Sequence, residues 1–497
     1  MTNWSHGYEV SMGYTFGFFR EMGPDWLDLC ARISGYEPPQ RSGGAFRYLE
    51  LGSGQGLGLC LLAAANPAAE FVGVDFQPEH IAHSQGLAEA AGLTNVRFIE
   101  ADFMELAAGW PEDFGTFDYV ALHGIFSWVS TELRAAVLQC IVHAARPGAL
   151  VYVSYNTQPG WTWAAPIRHF MRSLKESGGK PAAVAADEAV ELLNGLAAAK
   201  APVFEALPAL APKVQSLRGR QKSYLVHEYL GESWQPFWHS EVRKQFQGAK
   251  LDYVGSATLA DNLVAEFLPE PLHRLVTGQP DEQLRNDLQD FVINQAFRRD
   301  IYCMGPRRQL GSGSLGKELV YLTAAPELGR PVNFETSFGQ VSWDPAVFTG
   351  IVGAVSSGPT SLAELFALPN PTPWHPRHVL LLMLHATMLG VGAAMPGSVE
   401  AAERMNAVLA RAVCDGAPYR QVAAARLGSA VPASEAELLL LDAWFEAAGN
   451  ASAATLASGL SSRLTKLGRR AEGEPATLAT QFIQVTVPRW RQLGALA

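Results

Sequence analysis

Residues 46–56 read Phe46-Arg47-Tyr48-Leu49-Glu50-Leu51-Gly52-Ser53-Gly54-Gln55-Gly56, and the apolar run Leu57-Gly58-Leu59-Cys60-Leu61-Leu62-Ala63-Ala64-Ala65 follows directly. A short β-rich run ending in three alternate glycines and then a long apolar run predicts a strand, a tight turn and a buried helix. Glycines at 52, 54 and 56 allow positive φ and remove the Cβ that would hold a ligand away from the backbone. Such a turn alone also serves NAD or FAD, so its neighbours decide the reading. The next strand, Phe71-Val72-Gly73-Val74-Asp75-Phe76, ends in a carboxylate suited to the two hydroxyls of a ribose. A third strand runs into Glu100-Ala101-Asp102-Phe103, an acid and an aromatic ring where an adenine would be read. There is no Gly-Lys-Ser/Thr to cradle phosphates, and Glu50 would repel a pyrophosphate while suiting a cationic ligand with an amino group and a sulfonium.

Outward from this stretch the alternation continues: a helix from Pro78 to Ala91, a strand at Phe117 to Gly124, a helix from Thr131 to Ala145 and a strand at Ala149 to Asn156. Strands alternating with helices imply an α/β fold with a parallel sheet covered on both faces. Residues 1–40 are expected to form an N-terminal helical arm or lid, and 41–160 the nucleotide-binding domain. From 161 to 247 the pattern turns helical, which leaves two readings open, an insertion or a separate middle domain. In the first, strands within 248–325 return to complete the sheet. Pro326 to Pro331 marks a joint, and 331–497 reads as a mainly helical, winged-helix-like domain with a mobile loop near Ser461 to Gly473. The run Val379 to Met395 reads as one buried helix, too short for the roughly 20 residues that span a bilayer.

At 497 residues the chain exceeds the roughly 250–300 that one core supports, so two to four domains are expected. With 48% hydrophobic and 17% charged residues it is a folded protein. A net charge of −10 argues against nucleic acid as a partner. Cys30, Cys60, Cys140, Cys303 and Cys414 show no CxxC pair, so neither disulfides nor a metal site is expected. The start lacks a basic segment followed by an apolar run, which points to a cytoplasmic protein without membrane insertion.

The order ELGSGQG, VGVDF, EADF, FDYVALHGIFSWV, RPGALVYVSYN resembles class I S-adenosylmethionine (SAM) dependent methyltransferases. WSHGYEVSMGYTFGFFREMGP, SYNTQPGW and YLVHEYLGESWQPFWHSEV are similar to the branch with a methyltransferase regulatory domain, which includes rickettsial-type protein-lysine methyltransferases. The resemblance implies a Rossmann-like sheet with SAM held by Glu50, Gly52, Ser53, Gly54, Gly56, Asp75, Phe76, Asp102, Phe103, His123 and Gly124. It also implies transfer to a lysine ε-amine and a homodimer. An apolar aromatic channel would keep the amine neutral. Tyr14, Trp128, Tyr155 and Trp161 are candidates to build it, with Asn156 beside Tyr155 and His123 beneath the sulfonium as further candidate catalytic groups. A small-molecule, glycan or carboxylate acceptor is the alternative, and a regulatory protein without turnover a further one.

Overall fold

The computed structural model describes residues 16–309, 316–326, 329–369 and 374–497. A seven-stranded sheet dominates the first 304 residues. Its strands are β1 (Arg47–Leu51), β2 (Glu70–Asp75), β3 (Val96–Glu100), β4 (Phe117–Leu122), β5 (Ala145–Asn156), β6 (Leu251–Ser256) and β7 (Phe297–Met304), in the order β3-β2-β1-β4-β5-β7-β6. The first five are parallel, with the strand order reversing between β1 and β4. That reversal opens a crevice at the carboxyl ends of the strands, where ligands of open α/β sheets bind. The fold is Rossmann-like, but the sheet is mixed rather than all parallel, because β7 pairs antiparallel with both β5 and β6.

Helices α1 (Pro24–Ile33), α2 (Leu57–Ala65), α3 (Pro78–Ala90), α4 (Phe103–Ala108) and α5 (Thr131–Ala144) cover the parallel half. α2 is apolar all round because it is enclosed, with the sheet on one side and the C-terminal region on the other. Asn66, at its end, donates through Nδ2 to the Leu62 and Gly428 carbonyls at 2.9 and 2.8 Å, tying the two regions together. One core therefore runs from this sheet face into the C-terminal region, while α4 and α5 cover a second core on the opposite face. Between β5 and β6 the helices from Ala164 to Tyr229 gather a third, smaller core around Trp161, Met171, Leu193 and Tyr229.

Three sequence expectations need correction. Leu319–Leu322 leaves the main sheet and is the central strand of a small antiparallel one, between Thr360–Ser361 and Leu389–Val391. The run Val379 to Met395 is not one helix: Pro376–His385 ends in a turn with Thr387 at φ 59°, and the chain continues as the strand Leu389–Val391. Ser461–Lys466 is not loop but the last turns of the helix Ala453–Lys466, whose start is capped by Ser452 accepting from the Thr455 N–H. No helix among the described residues is long and apolar enough to cross a membrane. All five cysteines are buried and free.

Candidate functional site

The turn after β1 is held from below. The N–H groups of Gly52 and Ser53 both donate to the Val74 carbonyl at the end of β2, at 2.7 and 3.0 Å. Gly52 sits at φ +78°, and a Cβ there would lie 1.9 Å from Ile125 Cδ1, so glycine is required for the loop after β4 to close over the turn. Gly54 is different: at φ +52° it faces open space, and its N–H donates to Asp75 Oδ2 at 2.8 Å. The other carboxylate oxygen of Asp75 accepts from the Gln77 N–H at 3.0 Å and faces His80 Nδ1 at 3.2 Å. Asp75 is thereby pinned in orientation, and a carboxylate still has lone pairs to spare for ligand hydroxyls.

Two adjoining cavities open over these strand ends. One, about 90 Å³, is walled by Gly54, Asp75, Phe76, Gln77, Asp102, Phe103 and Gly124, among others. The second, about 70 Å³, is walled by Glu50, Ser53, Gln55, Gly56, Phe18 and Phe19, among others. Gly52, Gly54 and His123 are common to both. Asp102 also caps α4, accepting the Met104 N–H at 2.6 Å, which fixes its side chain at the cavity edge.

Both cavities carry buried polar groups that a cationic, hydroxyl-bearing ligand would satisfy. Burial, and then the neighbouring charge of Asp75, push the Glu50 carboxyl up to about 8. The Ser53 hydroxyl in the second cavity and His80 Nε2 in the first are buried without hydrogen-bond partners among the described residues. A ligand bearing an ammonium, hydroxyls and an aromatic base would satisfy such groups, so the donor set fits SAM. His123 is held at about 3 by burial and by the positive charge of Arg299, so its imidazole is neutral. Its Nδ1 lies 2.9 Å from the Tyr152 hydroxyl, and the Phe19 ring stacks on it at 3.7 Å between centroids.

The structure thus brings Glu50, Gly52, Ser53, Gly54, Gly56, Asp75, Phe76, Asp102, Phe103, His123 and Gly124 to one crevice. It places the remaining candidates elsewhere. Tyr155 is fully buried in the core on the opposite face, where its hydroxyl donates to Asp300 Oδ2 at 2.5 Å beside His239 and Arg298. Asn156 donates through Nδ2 to Glu228 at 3.1 Å, and Trp161 stacks on Trp163 inside the helical segment. Trp128 is half-buried, with its backbone N–H on the Ile125 carbonyl. None of these four lines either cavity. Tyr14 lies outside the described residues. Sequence reasoning missed Phe19, Tyr152, Gln77 and His80. Only His80, five residues after Asp75 and in the first turn of α3, carries a local signal.

Two segments of the chain match known families. Residues 43–184 match the family model of a methyltransferase domain, and residues 221–304 that of a predicted methyltransferase regulatory domain. An uncharacterized protein of Synechocystis sp. is 33% identical over 364 residues, 73% of this chain and 71% of the relative. A second relative, an uncharacterized protein of Rickettsia prowazekii, is 25% identical over 311 residues, 61% of this chain and 54% of its own. The solved structure of PKMT2 from Rickettsia typhi in complex with AdoHcy superposes with a TM-score of 0.70 at 19% identity, covering 97% of this chain and 99% of that one. The shared fold therefore extends well beyond the crevice, and the chain belongs to the family of SAM-dependent methyltransferases that carry a methyltransferase regulatory domain.

Proposed function

We propose that this chain transfers the methyl group of SAM to the ε-amine of a lysine in a protein. The observation that carries the reading is the wall around His123. Phe19, Phe297 and Tyr152 pack against a neutral imidazole, and no group in that wall titrates near neutrality as a general base would. Such a wall suits an acceptor that arrives as a neutral nucleophile, and an apolar surround lowers the pKa of a lysine amine towards that state. The likeness in fold to PKMT2 over 97% of the chain supports the reading, because it includes the regions outside the nucleotide-binding sheet.

SAM supplies an electrophilic methyl group: the amine lone pair forms the new N–C bond while the electrons of the breaking S–C bond pass to sulfur. The protein's share is to bind, orient and exclude water. Glu50 and Ser53 would hold the amino-acid end, Asp75 the ribose, and Phe76, Asp102 and Phe103 the base. His123 and Gly124 would lie beneath the reacting centre, with Gly124 fixed by donating its N–H to Ser154 Oγ at 2.9 Å. The exposed apolar side chains Phe170, Val184, Leu192 and Leu196 on the helical segment support a homodimer formed through it, which sedimentation analysis would test. Incubation of the protein with methyl-labelled SAM and a cell lysate tests the main reading. Label on protein lysines is expected, and label confined to small molecules would reject it.

A further inference from the structure

A larger cavity, about 330 Å³, lies next to the cofactor crevice and belongs to no part of the reading above. Its size is that of ligand pockets, which run from about 300 to 1,000 Å³. Phe18 and Phe19 are walls of both this cavity and the Glu50 cavity, so the two meet at this pair of rings. The inner wall comes from the N-terminal segment and β7, through Arg20, Trp26 and Arg299. The outer wall comes from the C-terminal region, through Leu389 and the antiparallel hairpin of Gln421–Ala424 with Ser429–Pro432.

Resting on the lysine reading, we propose that this cavity receives the methylated lysine side chain, with the hairpin of residues 421–432 as its outer wall. Trp26, Leu389, Val391, Leu427 and Val431 offer apolar surface to the four-methylene stem. Two acids face the approaching ammonium: Glu21, loosely paired with Arg20 at 3.8 Å, and Asp25, whose Oδ1 is taken by Arg41 at 2.8 Å while its buried Oδ2 has no hydrogen-bond partner among the described residues. Arg299 opposes the charge further in. Its Nε is buried and unpartnered, its Nη1 donates to Thr258 Oγ1 at 3.2 Å, and no carboxylate lies within ion-pair distance of it among the described residues. Among the described residues, the charged and titratable groups around Arg299 are Arg20 and Glu21 on the N-terminal segment, His123 just after β4, Tyr152 on β5, Asp261 after β6 and His385 at the end of the helix Pro376–His385. Burial and the positive charge of Arg299, which together keep His123 neutral, would likewise favour the unprotonated form of an amine placed beside Arg299. The C-terminal region thereby acquires a role in selecting the acceptor.

Filling the cavity tests this. Ala430→Phe and Gln421→Trp place bulk on the hairpin, away from every residue assigned to SAM. Both should keep the rise in melting temperature produced by AdoHcy while losing at least tenfold in the rate of lysine labelling. Arg299→Gln should move the acidic limb of the pH–rate profile to higher pH, and Arg299→Lys should move it back. Lysine labelling at the wild-type rate in both filled variants overturns the cavity assignment alone. Label that appears only on small molecules overturns the lysine reading, and the proposed occupant with it.

Discussion

Glu50 is the most exacting point at which to perturb the protein, because its burial is costly and the proposed function assigns it the amino group of the cofactor. Its carboxyl, ordinarily near 4.5, stays protonated up to about 8 in the folded chain, chiefly through burial. The unfolded chain ionises from 4.5 upward, so the folded state binds more protons between the two values and stability falls as pH rises through that window. Each unit of separation is worth about 1.4 kcal/mol, so the cost reaches about 4 kcal/mol at pH 8 and is absent near pH 4. Glu50→Gln removes the titration. Its denaturation curve in the absence of cofactor should coincide with that of the native sequence near pH 4.5 and lie about 4 kcal/mol above it at pH 8. Cofactor binding should show the reverse. A cationic ligand draws Glu50 into its ionised form, so SAM should bind the native sequence more tightly as pH rises from 6 to 8, with proton release. The variant should bind weakly at every pH. Chemical denaturation across this range, paired with calorimetry in buffers of different ionisation enthalpy, reads both. Parallel stability curves, or a Gln variant with native affinity, would refute the reasoning.

Other perturbations separate the roles of neighbouring residues. Gly54→Ala, whose Cβ meets nothing within 4 Å and so carries only the strain of φ +52°, should lose SAM affinity by calorimetry with a small fall in melting temperature; Gly52→Ala, strained at φ +78° and also driven into Ile125, should lose more thermal stability. Asp300→Asn leaves buried Arg298 with Asp290 as its remaining charge partner among the described residues and should cost about 3–5 kcal/mol in denaturant unfolding, with AdoHcy affinity of the folded fraction unchanged. Tyr155→Phe, which deletes one buried hydrogen bond to Asp300, should cost about 1–2 kcal/mol of stability and leave turnover at the native rate. Tyr152→Phe, which releases Nδ1 of His123, should instead lower turnover while AdoHcy still binds.

The contrast between the two tyrosines shows where the sequence was readable. A strand, a glycine turn and a helix are local, and parallel β-strands joined by helices must end on the same edge, so Glu50, the glycines, Asp75 and Asp102 could be brought together from spacing alone. Along β5 the side chains alternate in direction, and 152 and 155 differ by an odd step. Tyr152 therefore reaches His123 on the face shared with the C-terminal region, whereas Tyr155 points into the other core. Without knowing which face carried the acceptor, parity could not choose between them. Phe19 stacking on His123, and the 330 Å³ cavity between the N-terminal segment and the hairpin near residue 430, depend on segments about 100 to 400 residues apart in the chain. No local periodicity encodes such contacts. The same holds for Tyr155, His239, Arg298 and Asp300, drawn from three separate segments into one buried network.

A crystal structure of the protein with AdoHcy would show whether this crevice holds the cofactor. One molecule is expected over the ends of β1, β2 and β3, its amino group facing Glu50, its ribose on Asp75 and its base between Phe76 and Phe103. A ligand bound elsewhere, or a ribose out of reach of Asp75, would contradict it.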